Sequence, residues 1–368
     1  MKPRLIAFYL PQYHPIPEND EWWGKGFTEW TNVAKAKPLF KGHYQPHLPA
    51  DLGFYDLRVP EVREQQAELA REAGIEGFCY WHYWFAGKQL LERPFNEVLA
   101  SGKPDFPFCL AWANQSWKGV WHGSPGRILI EQTYPGAEDF TTHFWEVQKA
   151  FKDPRYIHIE GKPLFVVYKP AELPDAQMFI STWQTLAREA GFSGIFMMAM
   201  GKPGSDFRHL GFDGLIVNNF QFSLSTLESL RRSKWISRVS QMVLHKDIPA
   251  LIRNMQHRNR VYSYSEFVEV GLAQLDLTRN EFPEVYPGWD NSPRSKNYGF
   301  ILEGSSPELF KSQLCEAISQ VEDYPPGKQI VFIKSWNEWA EGNYLEPDQR
   351  YGNKYLDAIK ELLNDSQG

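Results

Sequence analysis

Short, almost continuous apolar runs alternate along this chain with longer amphipathic stretches, and that alternation limits the fold more than any other feature. RLIAFYL (4–10), IEGFCYWHYW (75–84), FPFCLAWAN (106–114), KPLFVVYKP (162–170), GIFMMAM (194–200), FDGLIV (212–217), PEVYPGWDN (283–291) and QIVFIKSW (329–336) all have strand length. The segments 59–74, near 90–101, 137–151, 175–190, 307–323 and 353–365 carry the period of helices packed on one face. Strands that are apolar on both faces belong in a parallel sheet covered by helices. Repeated eight times, the pattern predicts a closed (β/α)8 barrel, and 368 residues hold one with insertions. A doubly wound open sheet is the rival, but its glycine-rich first turn is missing after RLIAFYL. The expectation is one barrel domain over residues 1–368, with 218–282 inserted at the sixth helix as an extra lobe.

Composition narrows the partner. Aromatic residues make up 15% of the chain, with 14 tryptophans. A core does not need that much indole, whose N–H requires a partner when hidden, so the excess suits the wall of a wet cleft. Net charge is −6, and the densest basic cluster, LRRSK (230–234), is too local for a nucleic-acid groove. Cys79, Cys109 and Cys315 are odd in number and far apart; two fall in strands and read as buried free thiols. No Cys/His spacing suggests zinc, and no cofactor motif is present, so no cofactor is expected. The N-terminus is broken by proline too early for a signal peptide, and no run reaches membrane-spanning length. The chain reads as cytoplasmic.

In such a barrel the loops after the strands share one face, where chemistry sits. The first exit carries Tyr9 and a long loop with Glu29 and Trp30; the second carries Trp81, His82 and Trp84. The third gives Trp112 and Asn114, the fourth Tyr168, the seventh Trp289, and the eighth Trp336 and Asn337. Each has a plain structural reading as well. A ring of YWHYW packs inward or toward a helix, His82 is a satisfied interior histidine, Asn114 caps a turn, and Glu29 and Trp30 simply pack. Gathered at one rim, flat apolar faces beside amides and acids suit a pyranose, so an oligo- or polysaccharide is the expected partner.

The eighth exit, KSWNEWAEG (334–342), sets Glu338 and Glu341 three residues apart between indoles. A helix cap explains one carboxylate but not two beside Trp336 and Trp339. A divalent metal held by Glu338, Glu341 and Asp348 would be expected with phosphate-binding partners, and these are missing. Paired carboxylates suit acid–base work on an acetal, where one group is protonated and the other ionised, and mutual repulsion in a dry site pushes their pKa values apart.

These segments carry a resemblance. FYLPQYHPIPENDEWWGKGFTEWTNV, QPHLPADLGFYDLR, GFCYWHYWF and WNEWAEGNYLEPD…YG resemble the WbsX-type proteins, from Phe8 to about Leu356. Those proteins are often encoded in surface-polysaccharide gene clusters and labelled glycosyltransferases. More distantly the chain is similar to glycoside hydrolase family 99, the endo-α-1,2-mannosidases and mannanases, which are metal-free (β/α)8 barrels sharing NEW-x-EG. The resemblance implies that Glu338 is the base that deprotonates the sugar's own 2-hydroxyl, giving a 1,2-anhydro sugar. It implies that Glu341 protonates the leaving oxygen and then activates water, and that Tyr168 matches a tyrosine near the reacting centre. The sequence departs at Ala340, where the hydrolases usually have histidine, and after Gly342. The catalytic pair carries over; mannose specificity does not.

Three functions follow: a retaining glycoside hydrolase, a glycosyltransferase of surface-polysaccharide biosynthesis, and a non-catalytic glycan-binding protein. A metal-dependent transferase usually shows a DxD triplet, absent here. A binding module would not need both glutamates. Oligomeric state has no signature in the sequence.

Overall fold

The computed structural model describes residues 2–119, 127–218, 220, 223–229, 260–272, 277–278, 280–296 and 299–365. Eight parallel strands form the centre: β1 (Arg4–Tyr9), β2 (Gly77–Phe85), β3 (Phe108–Trp112), β4 (Lys162–Val167), β5 (Phe196–Gly201), β6 (Gly214–Val217), β7 (Glu281–Val285) and β8 (Ile330–Ile333). Each pairs with its neighbours in chain order, and β1 pairs with both β2 and β8, so the sheet closes. This is the predicted (β/α)8 barrel. The strand residues are almost all buried, as strands between a packed interior and a helical shell must be.

The helical layer contains α1 (Pro60–Ala73), α2 (Arg93–Ser101), α3 (Ala137–Phe151), α4 (Ala176–Glu189), α5 (Tyr264–Leu272), α6 (Pro307–Ser319) and α7 (Lys354–Asp365). Proline stands in the first turn of α1, α2 and α6, where its missing N–H costs nothing. Asp175 and Ser306 cap α4 and α6 by accepting from Met178 N and Leu309 N. Between β5 and β6 the described chain makes only the 3-10 turn Arg208–Leu210 in place of a helix, in a link containing Pro203, Gly204 and Gly211.

Two boundaries differ from the sequence reading. Strand β7 begins at Glu281, inside the predicted insertion, and ends before the predicted Trp289 and Asp290, which lie in the following loop. Pro283 hid this strand's start, because proline reads as a breaker, yet Val217 pairs with it. Most of 218–282 lies outside the described residues. Its described C-terminal part, Arg260–Ser263, pairs in parallel with Phe300–Glu303 beyond the barrel. Around that ribbon a second apolar cluster gathers Phe220, Tyr262, Tyr264, Phe267, Tyr286 and Phe300. Cys79 and Cys109 face each other across β2 and β3 as buried free thiols, while Cys315 is exposed. Among the described residues no helix is long and apolar enough to cross a membrane.

Candidate active site

The eighth strand hands its chain directly to a small hairpin. Asn337–Glu338 pairs antiparallel with Asn343–Tyr344, and the turn between them is the 3-10 segment Trp339–Glu341. Gly342 closes it at φ +59°, and a Cβ there would stand 2.8 Å from Asp290 N. Only glycine meets both demands. The hairpin is tied to the first strand's exit: Asn337 Nδ2 donates to Leu10 O at 3.0 Å, and Leu10 N donates to Asn337 Oδ1 at 2.7 Å. Tyr13 OH donates to Asn337 O at 2.6 Å, and Trp339 N donates to Tyr13 OH.

Beneath the hairpin Glu346 collects donors. Trp339 Nε1 reaches it at 2.6 Å, Gln66 Nε2 at 2.6 Å and Tyr55 OH at 2.9 Å. Tyr9 OH donates to Gln66 Oε1, extending the network into β1. Trp339 stacks on Tyr344 at 3.8 Å. These contacts fix the turn, so Glu338 and Glu341 are presented on rigid backbone.

Both glutamates meet one arginine, which the sequence reading did not single out. Arg294 is buried, with Nη1 at 3.2 Å from Glu338 Oε1 and 2.5 Å from Glu341 Oε1, while its Nε lies 3.1 Å from Glu29 Oε2. It sits in the short helix Ser292–Ser295 after β7. That loop is held by Asp290, which accepts from Ser292 N and Gln45 Nε2 and pairs with His43 Nε2 at 2.7 Å. Burial disfavours the Asp290 charge, but the bonds from His43, Ser292 and Gln45 outweigh it and hold its pKa below the usual value. Asp290 N also donates to Glu341 O, joining the loop to the hairpin.

Electrostatics sets the state of Glu341. Burial first, and then the charge of Glu338, push Glu341 up to about 7, against the opposing pull of Arg294 and Lys334. Glu284, buried at the end of β7, is also pushed to about 7, chiefly by burial. Near neutrality Glu341 is therefore divided between its protonated and ionised forms.

Glu338 and Glu341 open into a cleft of about 810 Å³ at the C-terminal ends of the strands. Of the residues nominated from the sequence, Trp81, Tyr168 and Trp289 line it together with the two glutamates. Trp81 and Tyr168 meet edge to face at 5.3 Å. Tyr83 of the YWHYW run lines it too, as do Gln12, Arg294 and Lys334, which the sequence did not single out. Lys334 carried a readable signal, a charged residue ending an apolar strand; Arg294 sits in an unpatterned loop and carried none.

The structure does not bring the other nominees to the cleft. Tyr9 is buried against Gln66, and Trp30 donates to Tyr55 O. Trp336 is fully buried with its ring 5.1 Å from Phe78, and Asn337 holds Leu10. Glu29 is fully buried behind Arg294. His82, Trp84 and Trp112 surround His143 of α3, with His82 Nε2 2.9 Å from His143 Nε2 and Trp84 stacked on the same ring. Burial lowers His82 to about 4, so the pair is neutral. The cause is the two-residue period of β2, which turns His82 and Trp84 toward the helices and Trp81 and Tyr83 toward the cleft. Asn114 links the exits of β3 and β4, accepting from Lys169 N at 2.7 Å and donating to Lys169 O at 2.9 Å. Asp348 accepts from Tyr344 OH and Tyr351 N, in the support of the hairpin.

Residues 5–359 match the family model described as Glycosyltransferase WbsX. The chain belongs to this family. Two relatives, both called uncharacterized protein WxcX, come from two strains of Xanthomonas campestris pv. campestris (ATCC 33913 and B100). Each is 40% identical over 98% of this WbsX chain, which spans about half, 49%, of their length. Among solved structures the WbsX chain is similar to the GH99 endo-alpha-mannosidase from Bacteroides thetaiotaomicron, with a TM-score of 0.58 and 14% identity over 99% of this chain and 97% of that one. It is also similar to a glycoside hydrolase-like protein, with a TM-score of 0.56 and 14% identity over 98% of this chain and 94% of that one. At that identity the likeness shows the fold that this chain shares with these proteins.

Proposed function

We propose that the protein is a retaining glycoside hydrolase acting on a polysaccharide or other glycan, with Glu338 and Glu341 as its acid–base pair. One observation carries this reading: two glutamates bound by one buried arginine at the C-terminal mouth of the barrel, one of them pushed to about 7. A structural hairpin would not need two carboxylates facing a cleft, and a binding module would not need the pKa of one of them raised.

In the reaction proposed, Glu338 takes the proton of the sugar's 2-hydroxyl and the freed oxygen attacks the anomeric carbon. The glycosidic C–O bond breaks as Glu341 gives its proton to the leaving oxygen, which leaves a 1,2-anhydro sugar. Glu341, now ionised, deprotonates a water that attacks the same carbon. The three-membered ring opens, O2 recovers its proton from Glu338, and configuration is retained. Arg294 keeps both carboxylates oriented without contributing a proton. Trp81, Tyr168 and Trp289 offer apolar faces for the sugar's C–H surfaces.

The family's name supports a second reading, in which a sugar hydroxyl replaces water as acceptor. The two are separated by product. Incubation with a panel of bacterial and plant polysaccharides should release new reducing ends, lost in Glu338→Gln and Glu341→Gln. Release of none, with sugar transfer from an activated donor to a glycan, would favour the transferase.

A further inference from the structure

Lys334 ends β8 where the barrel opens, and its backbone N donates to Val285 O at 2.9 Å. The residue is only 8% exposed, yet it lines the cleft. Its Nζ lies 5.6 Å from the ring centre of Trp81, 5.6 Å from that of Trp289 and 5.9 Å from that of Tyr168. Among the described residues it has no carboxylate within 4 Å and forms no side-chain hydrogen bond, whereas Arg294 a short way off has three acidic partners. Burial opposes its charge, but Tyr168, Glu338, Glu284 and Glu341 outweigh burial and raise its pKa above the usual value. Those groups keep it an ammonium without filling its donors.

Nearby charges and aromatic faces hold this ammonium, yet no acceptor among the described residues bonds its N–H groups. Those donors are available to a ligand that brings a negative charge. Lys169 and Lys202, on the loops after β4 and β5, line the same cleft and add positive charge to it, with Glu172 between them in the chain. A neutral hexose offers Lys334 only hydroxyls; a sugar carboxylate offers a full charge and two acceptor oxygens.

We propose that Lys334 is a carboxylate-binding residue of the cleft and that the sugar seated beside Glu338 is a hexuronate. The inference deepens the hydrolase reading and rests on it for the placement of substrate. It requires no atom transfer at Lys334, which recognises and orients.

The test uses oligosaccharides from uronate-containing bacterial and plant polysaccharides, each paired with its carboxyl-reduced counterpart. Binding is measured by calorimetry in a Glu341→Gln background, with and without Lys334→Met. At least one acidic oligosaccharide should bind about 10- to 100-fold tighter than its reduced form, the weight of a charged hydrogen bond. Lys334→Met should abolish that preference while leaving the reduced form within about twofold. Lys334→Gln is the second variant if the methionine protein melts early. Equal loss for both forms, no preference in any pair, or binding of a nucleotide sugar in place of the oligosaccharides would overturn the proposal. Acidic preference without release of reducing ends by the unmodified protein would keep the Lys334 assignment and remove the hydrolase.

Discussion

Arg294 Nη1 and Glu341 Oε1 are 2.5 Å apart, so the proposed proton donor is bound to a permanent cation. Arg294 lowers the Glu341 pKa, and burial with Glu338 raises it more, so the balance falls at about 7. Cleavage of an unactivated glycan should therefore decline as pH rises through about 7. Arg294→Met should move that alkaline limb upward, since a group that lowers the pKa has gone. Rate should fall about 100-fold as the carboxylates lose their orientation. Thermal stability should also fall, because three acidic groups then face one another without their partner; breaking such a buried pairing costs about 3–5 kcal/mol. A pH–rate profile beside a melting curve checks both.

Glu338→Gln and Glu341→Gln should each cost several orders of magnitude in kcat on a natural glycan with folding intact. An aryl glycoside with a good leaving group should restore most of the first step in Glu341→Gln, because little proton donation is then needed. Glu338→Gln should gain nothing, because the internal nucleophile still has to lose its proton. A 2-deoxy substrate should be inert. Rapid turnover of it would replace neighbouring-group attack with direct attack by a carboxylate.

Burial pushes Glu284, Glu341 and Glu346 each to about 7. A carboxyl whose folded pKa lies above its unfolded value stabilises fully below the unfolded pKa, and that stability is lost as pH rises through the folded one. Melting temperature should accordingly fall between pH 5 and about 7.5. Glu284→Gln should flatten part of the slope, read by calorimetry at half-unit steps. An unchanged slope would mean that Glu284 is already ionised in the folded protein.

Gly342→Ala should be expensive for its size. The backbone stands at φ +59°, and the new Cβ would meet Asp290 N at 2.8 Å. Asp290 anchors the Arg294 loop, so the clash should lower both melting temperature and kcat, by about 1–3 kcal/mol in stability. Gly87→Ala, also at positive φ but with nothing within 4 Å, separates backbone strain from collision.

Hydrophobic period was enough to read the barrel, because each of the eight strands is buried on both faces and looks it. It could not decide which residues at a strand's exit face the cleft. In YWHYW a shift of one residue exchanges the cleft wall for the helix interface, and nothing in five consecutive aromatic or imidazole rings marks the phase. Proline at 283 obscured the start of β7. Arg294 was invisible because its role comes from three glutamates at 29, 338 and 341 that only the closed barrel assembles.

The bonds between Leu10 and Asn337 join residues 327 apart in the sequence. Along the chain β1 precedes the seven other barrel strands, and one of its two neighbours, β8, follows them all. Until β8 emerges, one side of β1 remains an open edge, a surface that invites mispairing. The hairpin bearing both glutamates forms on the closing seam itself. Completion of the ring and formation of the proposed site are therefore the same event in time, and a nascent chain halted before residue 330 holds most of the core yet lacks both glutamates.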